Sequence, residues 1–136
     1  MIKVLYGPKG TGKTKTLIGS ANNMAKEAKG AVVFIDDSTK LMYDLKHEVR
    51  FVNVSEFPKL NNDGFLGFLC GILSQNYDIE GIFIDRLNFI TNERMEEFEA
   101  FFEKLDQLAA KHNTEFLITF NGPTDEMPAF LEKYAE

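Results

Sequence analysis

One cysteine, no tryptophan and four prolines are spread over 136 residues. A lone Cys70 excludes an intramolecular disulfide framework. No apolar run approaches the roughly 18–20 residues needed to cross a bilayer, so no membrane span is expected. Met1 to Tyr6 reach a glycine-rich segment too early for a signal peptide, which makes the cytoplasm the expected compartment. Positive charge is also scarce. With 15 Lys+Arg against 21 Asp+Glu the formal net charge is -6, which argues against a general nucleic-acid binder, since neutralising phosphates needs clustered cations. His47 and His112 lie far apart and lack the Cys/His/Asp spacing of a zinc site. What is present, 44% hydrophobic and 26% charged residues, is the composition of a folded globular chain, and its length fits one domain over residues 1–136.

The charge is uneven. Residues 1–77 carry 10 basic and 7 acidic groups, whereas residues 78–136 carry 5 and 14. An anionic ligand should therefore favour the N-terminal half. Apolar runs and helical periods alternate along the chain. Ile2 to Tyr6 reads as a strand stopped by Gly7-Pro8-Lys9-Gly10. From Lys13 the spacing of Leu17, Ile18, Ala21, Met24, Ala25 and Ala28 predicts a helix that Gly30 could stop. Ala31 to Asp36 and Gly81 to Asp85 read as buried strands, Arg50 to Val54 as a short one, and Glu115 to Phe120 as the last. Helices are expected from Ser38 to His47, from Asn62 or Asp63 to Asn76, from Thr91 or Asn92 to His112, and from Asp125 to Tyr134. Within them Cys70 reads as a buried small hydrophobe. Phe98, Phe101 and Phe102 read as core, because no basic residues interleave with them as a base-stacking platform would need. This β/α alternation implies an α/β class: a three-layer α/β/α sandwich around a mostly parallel five-stranded sheet. Ligands in such sheets bind beyond the carboxyl ends of the strands.

Gly7-Pro8-Lys9-Gly10-Thr11-Gly12-Lys13-Thr14 matches G-x-x-x-x-G-K-[ST], in the context that gives the motif meaning, after an apolar strand and before an amphipathic helix. Gly7, Gly10 and Gly12 would allow positive φ angles and bring backbone N–H groups close to phosphate oxygens. The following helix adds the positive end of its dipole. Lys13 supplies a mobile charge for β- and γ-phosphates, and Thr14 a hydroxyl for Mg²⁺. Pro8, Lys9, Thr11 and Lys15 complete the expected nucleotide-binding segment, with Lys9 more readily read as a solvated loop charge.

On this motif the chain resembles the P-loop NTPases. Ile82-Phe83-Ile84-Asp85 is similar to their second signature, the Walker B strand, which implies a role for Asp85 in holding Mg²⁺. The number of strands between the two motifs, and Asn121 at the end of the next strand, resemble the RecA/AAA-type division, in which an additional strand lies between the two Walker strands. The resemblance implies that Asn121 is a polar sensor near the γ-phosphate, with Thr119 as a second candidate, although Asn-Gly-Pro is also ordinary turn chemistry. The small size is similar to that of small bacterial ATP-binding proteins loosely related to twitching-motility pilus-retraction ATPases, on the Walker pair and core alone.

One departure stands out. Hydrolases of this division place a Glu after the Walker B Asp as general base, and this chain has Arg86, which stays protonated. Asp36 and Asp37 are the expected substitutes, readable also as helix caps, and Glu93 is a further one, readable as a helix-dipole partner. Arg86 could stabilise transferring charge or pair with Asp36 or Asp85; in an oligomer Arg86 or Arg94 could act across subunits. Three functions fit: an ATP-binding protein with slow or partner-stimulated Mg²⁺-dependent hydrolysis, a small-molecule or nucleoside kinase, and a non-catalytic nucleotide sensor. ATP is favoured over GTP because no N-K-x-D motif is present. Walker strands side by side would favour the kinase; an intervening strand ending at Asn121 would disfavour it.

Overall fold

Five runs rich in Val, Ile, Phe and Leu form the strands of one sheet. In the computed structural model, which describes all residues from Met1 to Glu136, these are β1 (Ile2–Gly7), β2 (Ala31–Asp36), β3 (Val49–Asn53), β4 (Ile79–Ile84) and β5 (Glu115–Asn121). Every pairing is parallel, and the spatial order is β1-β5-β4-β2-β3. β5 therefore lies between β1, which leads into the glycine-rich turn, and β4, which leads into Asp85. The free side of β1 is occupied by the C-terminal residues, through Val4 N–H to Tyr134 O at 2.8 Å and Glu136 N–H to Val4 O at 3.0 Å.

Four α-helices flank the sheet: α1 (Lys13–Glu27), α2 (Asn62–Gln75), α3 (Leu87–Thr91) and α4 (Phe98–His112). Alternating strand residues divide between two layers, as a pleated strand requires. Val33, Ile35, Ile82, Ile84, Ile118 and Phe120 face a large core with Phe65, Leu69, Leu87, Phe98, Phe101 and Leu105 from α2, α3 and α4. Val32, Phe34 and Phe83 face the other way, onto Leu17 and Ala21 of α1. One helix thus covers one face and three cover the other, the expected three-layer α/β/α arrangement. No helix is long and apolar enough to cross a membrane.

Four expectations need correction. The helix expected over residues 38–47 is only a single 3₁₀ turn, Met42–Asp44. Leu41 and Leu45 pack partly against the α1-side core, but Met42 and Tyr43 are solvent-exposed, so too little apolar surface is buried to stabilise a longer helix. The helix expected from Thr91 or Asn92 begins at Phe98. Asn92 is left-handed (φ 53°) and ends α3, and Arg94 is extended. Glu93 consequently serves α2, accepting Asn62 N–H at 3.2 Å, while Asn61 caps that helix through Gly64 N–H at 2.7 Å. The helix expected over residues 125–134 is two 3₁₀ turns, Thr124–Glu126 and Ala129–Leu131. Pro128 between them lacks an N–H and holds Met127 extended. Cys70, expected in the core, is exposed on α2.

Candidate functional site

The carboxyl ends of β1, β2, β4 and β5 open onto a cleft of about 390 Å³. On its β1 side the chain turns sharply. Gly10 (φ 87°) and Gly12 (φ 83°) are both left-handed, a conformation that costs other residues roughly 1 kcal/mol or more. Gly7 is not; it ends β1, and a Cβ there would sit 3.4 Å from Thr11 Oγ1. The Gly7 expectation is thus corrected: its φ is not positive, and a Cβ there would meet only ordinary van der Waals contact. Gly12 leads into α1, which has no acidic residue in its first turn, so its positive dipole end faces the cleft without a competing carboxylate.

Lys13 folds back over its own loop. Its ammonium donates to Pro8 O at 2.7 Å and to Thr11 Oγ1 at 3.3 Å, and the Thr11 hydroxyl also donates to Pro8 O at 2.8 Å. Burial lowers the Lys13 pKa, with Asp85 acting in the opposite direction. Lys9, Gly10, Gly12, Lys13 and Thr14 line the cleft; Lys15 does not, and is exposed.

Thr14 meets Asp85 across the cleft floor. Its hydroxyl lies 3.1 and 3.2 Å from the two Asp85 oxygens. Thr119 donates to Asp85 Oδ1 at 2.7 Å, and its oxygen accepts Arg86 N–H at 2.7 Å. Thr119 therefore braces Asp85 from the middle strand and does not point into the cleft as a sensor. Asn121 does line the cleft. Its backbone is fixed by Asn88 of α3, which accepts Asn121 N–H and donates to Asn121 O, both at 3.0 Å.

Arg86, the residue after Asp85, is left-handed (φ 53°). Its guanidinium reaches three carboxylates: Asp37 closely, Asp36 at 3.4 Å and Asp85 at 3.6 Å. Burial opposes the Arg86 charge, but Asp37, Asp36 and Asp85 together prevail and raise its pKa. Asp36 is fully buried. One of its oxygens accepts Asp37 N–H at 2.8 Å, and the other has no hydrogen-bond partner. Burial above all, reinforced by Asp85 and offset by Asp37 N–H and Arg86, pushes its pKa up to about 6.

The raised Asp36 pKa has a stability consequence. The unfolded chain releases the Asp36 proton near 3.8 and the folded chain near 6. Between these values the folded state binds more protons, so stability falls as pH rises through the interval and stays lowered above it. Asp36→Asn is expected to raise the unfolding free energy at pH 8 by up to about 3 kcal/mol, since moving a carboxyl's titration by one pH unit corresponds to about 1.4 kcal/mol. The gain should vanish below about pH 4. Urea denaturation at the two pH values measures it, and an equal gain at both would refute the assignment.

The oxygen donors suit Mg²⁺, which prefers a few hard protein oxygens and keeps several waters. The Thr14 hydroxyl and the Asp85 carboxylate meet on one side of the cleft, and Asp36, with one buried oxygen unpartnered, also lines it. The sequence reading missed Asn88 and the cleft-lining Ser38, Lys40 and Leu41. Lys40 carried a signal, a cation shortly after the Asp36-Asp37 pair, which the expected helix obscured.

No protein-family model matches the chain, and no curated protein does. Solved structures do. A KaiC-like protein from the hyperthermophilic archaeon Pyrococcus horikoshii OT3 superposes with a TM-score of 0.68 at 18% identity, over 96% of this chain and 65% of that one. The flagellar accessory protein FlaH from Methanocaldococcus jannaschii gives a TM-score of 0.57 at 16% identity, over 93% and 62%. The chain spans less than two thirds of the length of either. At these identities the likeness establishes the fold, a parallel five-stranded α/β sheet with helices on both faces, and leaves activity to the site itself.

Proposed function

We propose that the chain binds a nucleoside triphosphate with Mg²⁺, ATP in preference to GTP, and hydrolyses it slowly or under the stimulus of a partner. One observation carries this reading. The Thr14 hydroxyl and the Asp85 carboxylate, 71 residues apart in sequence, meet at 3.1 Å beside Lys13 and the start of α1. That is the set needed to hold a polyphosphate and its cation.

In this reading Lys13 leaves Pro8 O and Thr11 and moves its ammonium onto the β- and γ-phosphates. The loop N–H groups and the α1 dipole bind the same anion. Thr14 and Asp85 hold Mg²⁺, which when bound offsets phosphate charge. Asn121 orients the terminal phosphate or the attacking water, on a strand end fixed by Asn88. Asp36 or Asp37 accepts the proton of that water. Arg86 pairs with both carboxylates, so a water must compete with its guanidinium for either one, and this supports slow turnover. No motor role is assigned, since the likeness to pilus-retraction ATPases rests on the Walker pair and core alone.

The same ion pairs favour, as a second reading, a nucleotide sensor that does not hydrolyse. The kinase reading is disfavoured by β5, which separates the Walker strands and ends at Asn121. Steady-state ATP turnover by the wild type and by Asp36→Asn and Asp37→Asn separates the first two. Turnover lost in at least one variant supports hydrolysis; no turnover above buffer leaves the sensor. For the metal, triphosphate affinity of the wild type is expected to fall tenfold or more when EDTA replaces Mg²⁺, about 1.4 kcal/mol. In Asp85→Asn the same exchange should change it less than threefold, measured by calorimetric titration. An equal Mg²⁺ dependence in both proteins would remove Asp85 from the metal site.

A further inference from the structure

Arg86 occupies the position that would otherwise hold the hydrolytic Glu, and its geometry is specific. A left-handed backbone at a non-glycine residue is held by the Thr119 hydroxyl, which turns the side chain over the strand ends toward β2. There the guanidinium pairs with Asp36 and Asp37 while lining the same cleft as Lys13, Thr14 and Asn121. Its Nε lies 3.6 Å from Asp85 Oδ2, the carboxylate that the Thr14 hydroxyl touches. Only one carboxylate thus separates the guanidinium from the point where a phosphate-bound cation would sit.

The pairing is not sealed. The Arg86 side chain is 35% exposed and that of Asp37 is 31% exposed, and ion pairs open to water contribute little net stability. A terminal phosphate carries more charge than Asp37 and offers several acceptor oxygens that suit a planar fork of N–H donors.

We propose that Arg86 discriminates triphosphate from diphosphate: its guanidinium rests on Asp37 in the empty cleft and transfers to the terminal phosphate when one is bound, leaving the Asp37 carboxylate free. The inference rests on the nucleotide-binding reading and adds the residue that distinguishes the two nucleotide states. Arg86 and Asp37 then have opposite effects. Removing the cation removes a phosphate contact, whereas removing Asp37 removes the competitor for that cation. A purely structural ion pair has no such sign difference.

The test is calorimetric titration with a β,γ-imido analogue of ATP and with ADP, both with Mg²⁺. The proteins are the wild type, Arg86→Gln, Arg86→Lys and Asp37→Asn. The triphosphate-to-diphosphate affinity ratio is expected to fall at least tenfold in Arg86→Gln and by less in Arg86→Lys, which keeps the charge without the fork. It is expected to rise threefold or more in Asp37→Asn. If Arg86→Gln does not fold, Arg86→Lys and Asp37→Asn still give opposite signs. An unchanged ratio, or shifts of the same sign in the Arg86 and Asp37 variants, overturns the proposal while nucleotide binding stands. A wild type that binds neither nucleotide overturns both.

Discussion

Lys13→Ala is expected to reduce triphosphate affinity about a hundredfold while leaving the fold intact. In the structure the ammonium contacts only its own loop, Pro8 O and Thr11 Oγ1. Both are short-range contacts at an exposed site, so losing them should shift the unfolding midpoint little. Toward a phosphate the same ammonium forms charge-assisted hydrogen bonds, each contributing about 1.5–3 kcal/mol, or roughly ten- to hundredfold in affinity. Lys13→Arg is not expected to restore binding, because a planar fork cannot replace a compact point charge in so tight a loop. Calorimetric titration of Mg²⁺ and ATP into wild type and variant decides the matter. Equal heats from both would remove the loop from the binding site, and a large loss of thermal stability would make Lys13 a structural residue.

The largest effect on stability is expected at Phe98. It opens α4, is fully buried, and meets Phe120 edge-on at 4.9 Å and Phe101 at 5.9 Å. Phe120 in turn stacks on Tyr6 at 6.2 Å, the residue before the phosphate loop. Phe101 stacks on Phe65 of α2 at 6.3 Å. Phe98 therefore connects α2, α4, β5 and β1. Truncating a Phe at such a site costs about 3–5 kcal/mol, a large part of the roughly 5–15 kcal/mol by which domains are stable. Phe98→Ala should shift the urea midpoint accordingly, and Phe98→Leu should recover at least half of the loss. A near-neutral Phe98→Ala would show that the aromatic row does not join the elements energetically. Bound nucleotide should partly rescue the variant, since ligand that binds only the folded state stabilises it by mass action.

Strands were the most legible part of the sequence. AVVFID and GIFID are continuous apolar runs because both faces of a parallel strand are covered, and each ends in the Asp that enters the cleft. The glycine-rich turn between β1 and α1 was legible because its glycines and Lys13 stand at fixed offsets between a strand and a helix. The expected intervening strand is β5. Local geometry after the strands was less legible. That Asn92 adopts a left-handed angle and divides residues 87–112 into two helices depends on its surroundings, since Asn tolerates several backbone states. Pro128, by contrast, was a readable signal against a helix over residues 125–134. The Arg86 cluster is a tertiary fact. Its partners lie 49 and 50 residues away, and sequence suggested Asp36 or Asp85 as a partner without showing that Asp36, Asp37 and Asp85 all surround one guanidinium.

The position of β1 beside β5 also bears on how the molecule is made. Met1 lies against Thr114, 113 residues along the chain, and the strand that carries the phosphate loop pairs with no strand but β5. During synthesis three strands and four helices are made between that loop and the strand that frames it. Closing so long a span is entropically slow. The loop and Asp85, joined across β5, acquire the geometry described above only once β5 is in place. A nascent chain that stops short of Glu115 carries Lys13, Thr14 and Asp85 but lacks the strand that lies between their strands, so the cleft takes shape only after β5 has joined the sheet.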